Sequence, residues 1–82
     1  MNETAVELDL RGLRCPLPAL RTERQLRAMN AGERLGVLAD DPLAAIDIPH
    51  FCRQSGHVLI AATTEADHRR FLIECGKAPS AA

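Results

Sequence analysis

The sequence predicts an α+β fold of two layers: a two-layer α/β sandwich in the order βαβαββ, with two helices on one face of a four-stranded mixed sheet. Three observations predict it. Two amphipathic stretches of helical period each follow a strand-like segment and open on proline. Most of the strand-like segments alternate apolar with polar residues, which leaves one sheet face for helices and the other for water. The last two strand-like runs are separated by a short turn with no helix between them, the pattern of an antiparallel hairpin, whereas the helix-linked strands should run parallel through right-handed crossovers.

Taken in order, Val6, Leu8 and Leu10 alternate with Glu7 and Asp9 and form the first strand. From Pro16 to about Asn30 the period turns helical, with Ala19, Thr22, Leu26 and Met29 on one stripe and Gly32 placed to terminate it. Glu33 to Ala39 is the second strand, with Leu35, Val37 and Ala39 on one face. Asp40-Asp41-Pro42 ends it and supplies a helix cap, and Asp47-Ile48-Pro49 repeats the signal. Residues 42 to 55 are therefore either a turn followed by a helix or one kinked helix, with Ile48, Phe51, Cys52 and Ser55 on a stripe closed by Gly56. His57 to Thr63 is nearly continuous in apolar character, as a central strand would be. Thr64 to Asp67 is a turn. Arg69 to Cys75 is the last strand, with Phe71, Ile73 and Cys75 facing one way. Residues 1–77 are expected to form a single domain and 78–82 a flexible tail of small residues.

Composition narrows the function. A chain of 82 residues with a formal net charge of −1 lacks the basic signature of a nucleic-acid binder, and Phe51 and Phe71 are its only aromatics, so base-stacking platforms are scarce. No signal peptide and no membrane-spanning run is read. Three widely spaced cysteines, Cys15, Cys52 and Cys75, fit reduced thiols better than a disulfide framework, which predicts a cytoplasmic location.

The chemistry concentrates at Arg11-Gly12-Leu13-Arg14-Cys15-Pro16-Leu17-Pro18. A residue before proline is pushed away from the α region and proline is favoured at the first helical position, so Cys15 is expected to cap the helix with Pro16 as its first residue. A thiol there sits at the positive end of a helix, where a thiolate or a persulfide anion is favoured. Of the first three helical residues only Leu17 carries an N–H, because Pro16 and Pro18 have none, so the electrostatic gain is modest and the prolines serve mainly to present the sulfur. Arg11 and Arg14 add to anion support if they lean toward it. Leu17 and Leu20 lie on a flank beside the sulfur and form a candidate docking patch. Cys52 reads as a packing residue and Cys75 as structural. His50, His57 and His68 form no zinc-finger spacing with them, so no metal site and no cofactor is expected.

The run Leu8 to Pro18, followed by Gly32-Glu33, Asp40-Asp41-Pro42, Asp47-Ile48-Pro49-His50-Phe51-Cys52 and Gly56-His57, resembles the TusA (SirA-like) sulfur-carrier family over roughly residues 5 to 76. The resemblance implies a fold like the C-terminal domain of a bacterial translation initiation factor, with strand order 1-2-4-3 and strand 4 antiparallel. It implies that Cys15 of the Cys-Pro-x-Pro element accepts sulfane sulfur as a persulfide, from a cysteine desulfurase or rhodanese-type donor. The sulfur then passes to an acceptor protein in tRNA thiolation, molybdenum-cofactor metabolism or sulfur oxidation. It also implies that the acidic corner at Asp40 and Asp41 lies near Cys15, with Asp41 aiding partner contact. A monomer with no nucleic-acid or membrane partner is expected from charge, aromatic content and hydropathy, and such a carrier is a substrate of two transferases more than a small-molecule enzyme. Two other classes stand beside it. A thiol-redox protein lacks the second cysteine of a Cys-x-x-Cys pair here, and a nucleic-acid or regulatory module is suggested only by analogy of fold.

Overall fold

The computed structural model describes residues 6–76. In chain order these form β1 (Val6–Asp9), α1 (Leu17–Arg27), β2 (Arg34–Ala39), α2 (Ala44–Ser55), β3 (Val58–Thr64) and β4 (Arg69–Glu74). The sheet runs β1-β2-β4-β3, with β1 parallel to β2 and β4 antiparallel to both β2 and β3. The two helices pack on this four-stranded mixed sheet, as the alternation of the strands requires. The small-residue tail at 78–82 lies outside the described residues.

The core forms where the alternating strand residues meet the helix stripes. Leu35, Val37, Phe71 and Ile73 project from the two central strands and are sealed by Leu26 of α1 and Ile48 and Cys52 of α2. On α1 the buried stripe is Pro18, Thr22 and Leu26, one helical turn apart, while Ala19 and, just past the helix end, Met29 are half-buried. The alternatives for residues 42 to 55 resolve as a turn at Pro42 and Leu43 followed by a helix that runs straight through Pro49. That helix ends on Gly56 at φ +81°, a left-handed conformation that costs a residue with a Cβ, and the next amide, His57 N–H, donates to the Cys52 carbonyl at 3.0 Å.

One strand departs from the sequence reading. The apolar run of β3 lies at the edge of the sheet, not its centre, and Val58 and Ile60 stand 53% and 40% exposed. The central position belongs to β4, whose alternating pattern looks half-exposed because only one of its faces is covered. A register shift between Leu59 and Ala61 further breaks the inward alternation of β3.

At the end of β4 farthest from the α1 N-terminus, His57 is half-buried, stacked at a tilt 5.6 Å from the Phe51 ring, and its Nδ1 accepts the Gly76 N–H at 2.9 Å. Burial pushes the pKa of this imidazole below its ordinary 6.5, so the neutral ring is the acceptor that the Gly76 amide needs. Because the unfolded chain takes up this proton more readily than the folded one, the contribution of His57 is complete above pH 6.5 and declines as pH falls toward the lowered folded value. Urea midpoints measured downward through that window should drop for the natural chain and drop less for His57→Gln.

Candidate functional site

The site is assembled where two parallel strands end side by side. After β1, Leu10 continues the pairing by donating its N–H to the Leu38 carbonyl at 2.8 Å, and its side chain enters the core. The chain then reverses through Arg11 and Gly12, where Gly12 takes φ +91°, a value that a residue with a Cβ adopts only under strain. Because β2 is parallel to β1, the loop after β2 arrives at the same end of the sheet and brings Asp40 and Asp41 against this turn. Asp40 Oδ1 accepts the Gly12 N–H at 2.9 Å and faces the Arg14 guanidinium at 3.3 Å. Asp41 accepts two amides: Cys15 N–H on Oδ2 at 2.5 Å and Leu43 N–H on Oδ1 at 3.1 Å. These two bonds hold the Asp41 carboxyl below the usual carboxylate range, the Cys15 amide being the stronger cause. One side chain thus latches the Cys15 loop to the start of the α2 turn.

Cys15 itself is exposed. Its peptide bond to Pro16 is cis. Its Sγ donates to Asp47 Oδ2 at 3.1 Å, from the first turn of α2. This bond, followed by desolvation and the charges of Asp47 and Asp41, pushes the thiol pKa up. The helix-end argument predicted the opposite direction, and three features explain the reversal. First, α1 starts one residue later than expected, with Pro16 as its cap and Leu17 as its first residue. Second, the Leu17 N–H already donates to the Arg14 carbonyl at 2.8 Å, so the one amide reserved for the sulfur is taken. Third, the two arginines are committed elsewhere. Arg11 grips Asp9 through Nε at 2.9 Å and Nη2 at 2.8 Å, holding that carboxyl at about 2, while Arg14 is turned toward Asp40. The expected anion support from Leu17, Arg11 and Arg14 is therefore corrected: the sulfur faces a carboxylate. A contact between sulfur and carboxylate at bonding distance outweighs a helix terminus stripped of N–H groups by two prolines.

The docking residues divide. Leu17 and Leu20 stand 41% and 52% exposed on the first turns of α1, with Pro16 exposed beside them. Pro18 is buried and roots the helix start in the core. Asp41 is only 6% exposed and its carboxylate is occupied, so its expected part in partner contact is corrected to an internal brace. The acidic corner does lie next to Cys15, through that brace. Asp47 was missed by the sequence reading. The available signal was an acidic residue in the first turn of the helix that follows the strand parallel to β1.

The other two cysteines are placed differently. Cys52 is 1% exposed and burial pushes its thiol up to about 11. Cys75 is 4% exposed, donates to the Leu26 carbonyl at 3.5 Å, and is also pushed up by burial. Among the described residues no group of three or more His, Cys, Asp or Glu is arranged to hold a metal ion, and no helix is long and apolar enough to cross a membrane.

An open α+β sheet domain that latches one loop so as to hold out a single thiol at the head of its first helix belongs to the class of small thiol-presenting domains. Within that class the chain belongs to the TusA family: residues 6–75 match the model described as sulfurtransferase TusA. Its fold is that of a SirA-like protein from Desulfitobacterium hafniense, whose crystal structure superposes with a TM-score of 0.76 at 20% identity, covering 88% of this chain and 99% of the other.

Proposed function

We propose that this protein is a sulfur carrier in which Cys15 takes up sulfane sulfur as a persulfide and delivers it to an acceptor protein. The observation that carries this reading is the contrast among the three thiols: Cys15 is exposed at the mouth of a latched loop, while Cys52 and Cys75 are sealed in the core. Membership of the TusA family supports the same role. In uptake, the Cys15 sulfur attacks the outer sulfur of a donor persulfide. A new sulfur–sulfur bond forms on Cys15, the donor's own sulfur–sulfur bond breaks, and the donor leaves as a thiol. Delivery is the same exchange with Cys15 as the leaving group. Neither step needs a bound cofactor or a second cysteine in this chain.

A partner must reach the sulfur past the start of α1, so the exposed pair Leu17 and Leu20 forms the apolar part of the contact. The donor is a cysteine desulfurase or a rhodanese-type protein, and the acceptor belongs to a relay of the kind that serves tRNA thiolation, molybdenum-cofactor metabolism or sulfur oxidation. The working form is a monomer in the reducing cytoplasm, where an exposed thiol survives.

The test is direct. Mixed with a cysteine desulfurase, cysteine and pyridoxal phosphate, the protein should gain the mass of one sulfur atom, and peptide mapping should place it on the peptide that contains Cys15. A protein that gains nothing, or gains it on the Cys52 or Cys75 peptide, is not this carrier.

A further inference from the structure

The carrier reading leaves one contact without a purpose. Asp47 Oδ2 sits 3.1 Å from the reactive sulfur, on a different helix, in a site whose cations are turned away. A carboxylate is a poor neighbour for a thiolate and a worse one for a persulfide, which is a stronger acid than its parent thiol and carries its charge at neutral pH. We propose that Asp47 acts as a charge gate on Cys15: it holds the empty carrier as a protonated thiol and repels the loaded carrier's anion, so that sulfur is bound weakly enough to be handed on. This inference rests on the carrier role of Cys15 and concerns how that role is set.

The gate follows from what each state offers Asp47. Empty, Cys15 donates its S–H to the carboxylate, a charge-assisted bond that stabilises the thiol. On uptake, the thiol proton passes to Asp47 as the Cys15 sulfur attacks the outer sulfur of the donor persulfide R–S–SH. The Cys15 sulfur–sulfur bond forms, the donor bond breaks, and the departing R–S⁻ takes the proton from Asp47 to leave as R–SH. The sulfane sulfur moves with no net oxidation or reduction. The product Cys15–S–SH then loses its own proton to solvent. Loaded, the site holds an anion and no S–H donor, so the attraction to Asp47 is replaced by repulsion between like charges. Asp41 adds to the same field, since its carboxylate is locked on the Cys15 amide. Arg14 does not cancel it, because its guanidinium faces Asp40. The net charge around the sulfur thus favours an empty, protected thiol over a loaded one.

Asp47→Asn keeps the shape and an acceptor oxygen while removing the charge. In the variant, alkylation of Cys15 by iodoacetamide at neutral pH should run about fivefold faster, because more thiolate is present. Equilibrated with a small persulfide and its parent thiol, the variant should hold about fivefold more sulfur on Cys15 relative to empty protein, because the thiol loses its charged acceptor and the anion is no longer repelled. Glu65→Gln makes the same change of charge on the exposed β3–β4 hairpin and should leave both readouts as they are. Asp47→Ser removes the charge with a smaller side chain and gives the same readouts should the asparagine variant fail to fold. A substitution that merely loosens structure would speed alkylation without raising the loaded fraction at equilibrium. Equal alkylation and equal loading in the natural chain and the Asp47 variants overturn the gate alone, as does an equal response to Glu65→Gln. A natural chain that never takes up sulfur overturns the carrier reading and the gate together.

Discussion

Replacement of Cys15 by serine is expected to abolish sulfur loading completely while leaving the fold and its stability unchanged. The backbone reason is that Asp41 bonds the amide of residue 15, not its side chain, so the latch survives. A serine hydroxyl can still donate to Asp47, and an exposed exchange of sulfur for oxygen removes no buried contact. The chemical reason is that an alcohol is not ionised at neutral pH and does not attack sulfane sulfur. Neither remaining cysteine can substitute. Cys52 has a thiol at about 11 behind a 1% exposed surface, and Cys75 is committed to the Leu26 carbonyl. Mass spectrometry after incubation with a desulfurase, alongside a thermal melt, reads both halves of the expectation. A variant that keeps its adduct would move the carrier thiol into the core, where no partner reaches.

The largest expected effect on stability is at Phe71. It is the largest fully buried side chain, 1% exposed, and stands on the central strand β4 opposite Val37 on one side and Ala62 on the other. Phe71→Ala removes the contact that joins both halves of the sheet to the helices and leaves a cavity that the surrounding strands cannot collapse to fill. The cost is about 3–5 kcal/mol for such a truncation. Set against a total of about 5–15 kcal/mol for native domains, and toward the lower end for one this small, that loss should leave a substantial unfolded fraction at 37 °C. Urea denaturation should show a midpoint far below that of the natural chain, whereas the apolar but exposed Leu20→Ala should barely move it.

The fold was readable wherever burial and periodicity agree. β1, β2 and β4 cover one face and expose the other, and their alternation says so; the stripe through Ile48 and Cys52 says the same of α2. Where burial and hydropathy part, the reading slipped. The residues Val58-Leu59-Ile60-Ala61-Ala62 look interior because they carry no charge, but small alanines and a bulge at a sheet edge leave all of them except Leu59 open to water. Nothing local reveals that β4, despite its charged Arg70 and Glu74, is a strand with partners on both sides.

At the site, Cys15 and its prolines announced themselves because they act through adjacent backbone. Asp47 did not, because its partnership with Cys15 spans 32 residues and exists only once parallel pairing of β1 with β2 brings two loops to one end of the sheet. That contact is the largest cause of the reversed electrostatics around the sulfur. Helix-end reasoning accounts for what a terminus offers, and here two imino acids and the Arg14 carbonyl had already used most of it.

The water-facing side of the sheet bears on the sulfur too. Glu7 of β1 and Arg70 of β4 form an ion pair that reaches across β2 directly above Gly36, where a Cβ would stand 2.7 Å from the Arg70 guanidinium and 2.8 Å from the Glu7 carboxylate. A bare position in the middle of β2 therefore gives room for a side-chain strap that fastens the four-residue margin of the sheet to its interior. Since that margin is the mooring from which the Cys15 loop departs, concentrated salt should slacken the strap and let amide hydrogens of β1 exchange sooner than those of β4, well before the molecule as a whole gives way.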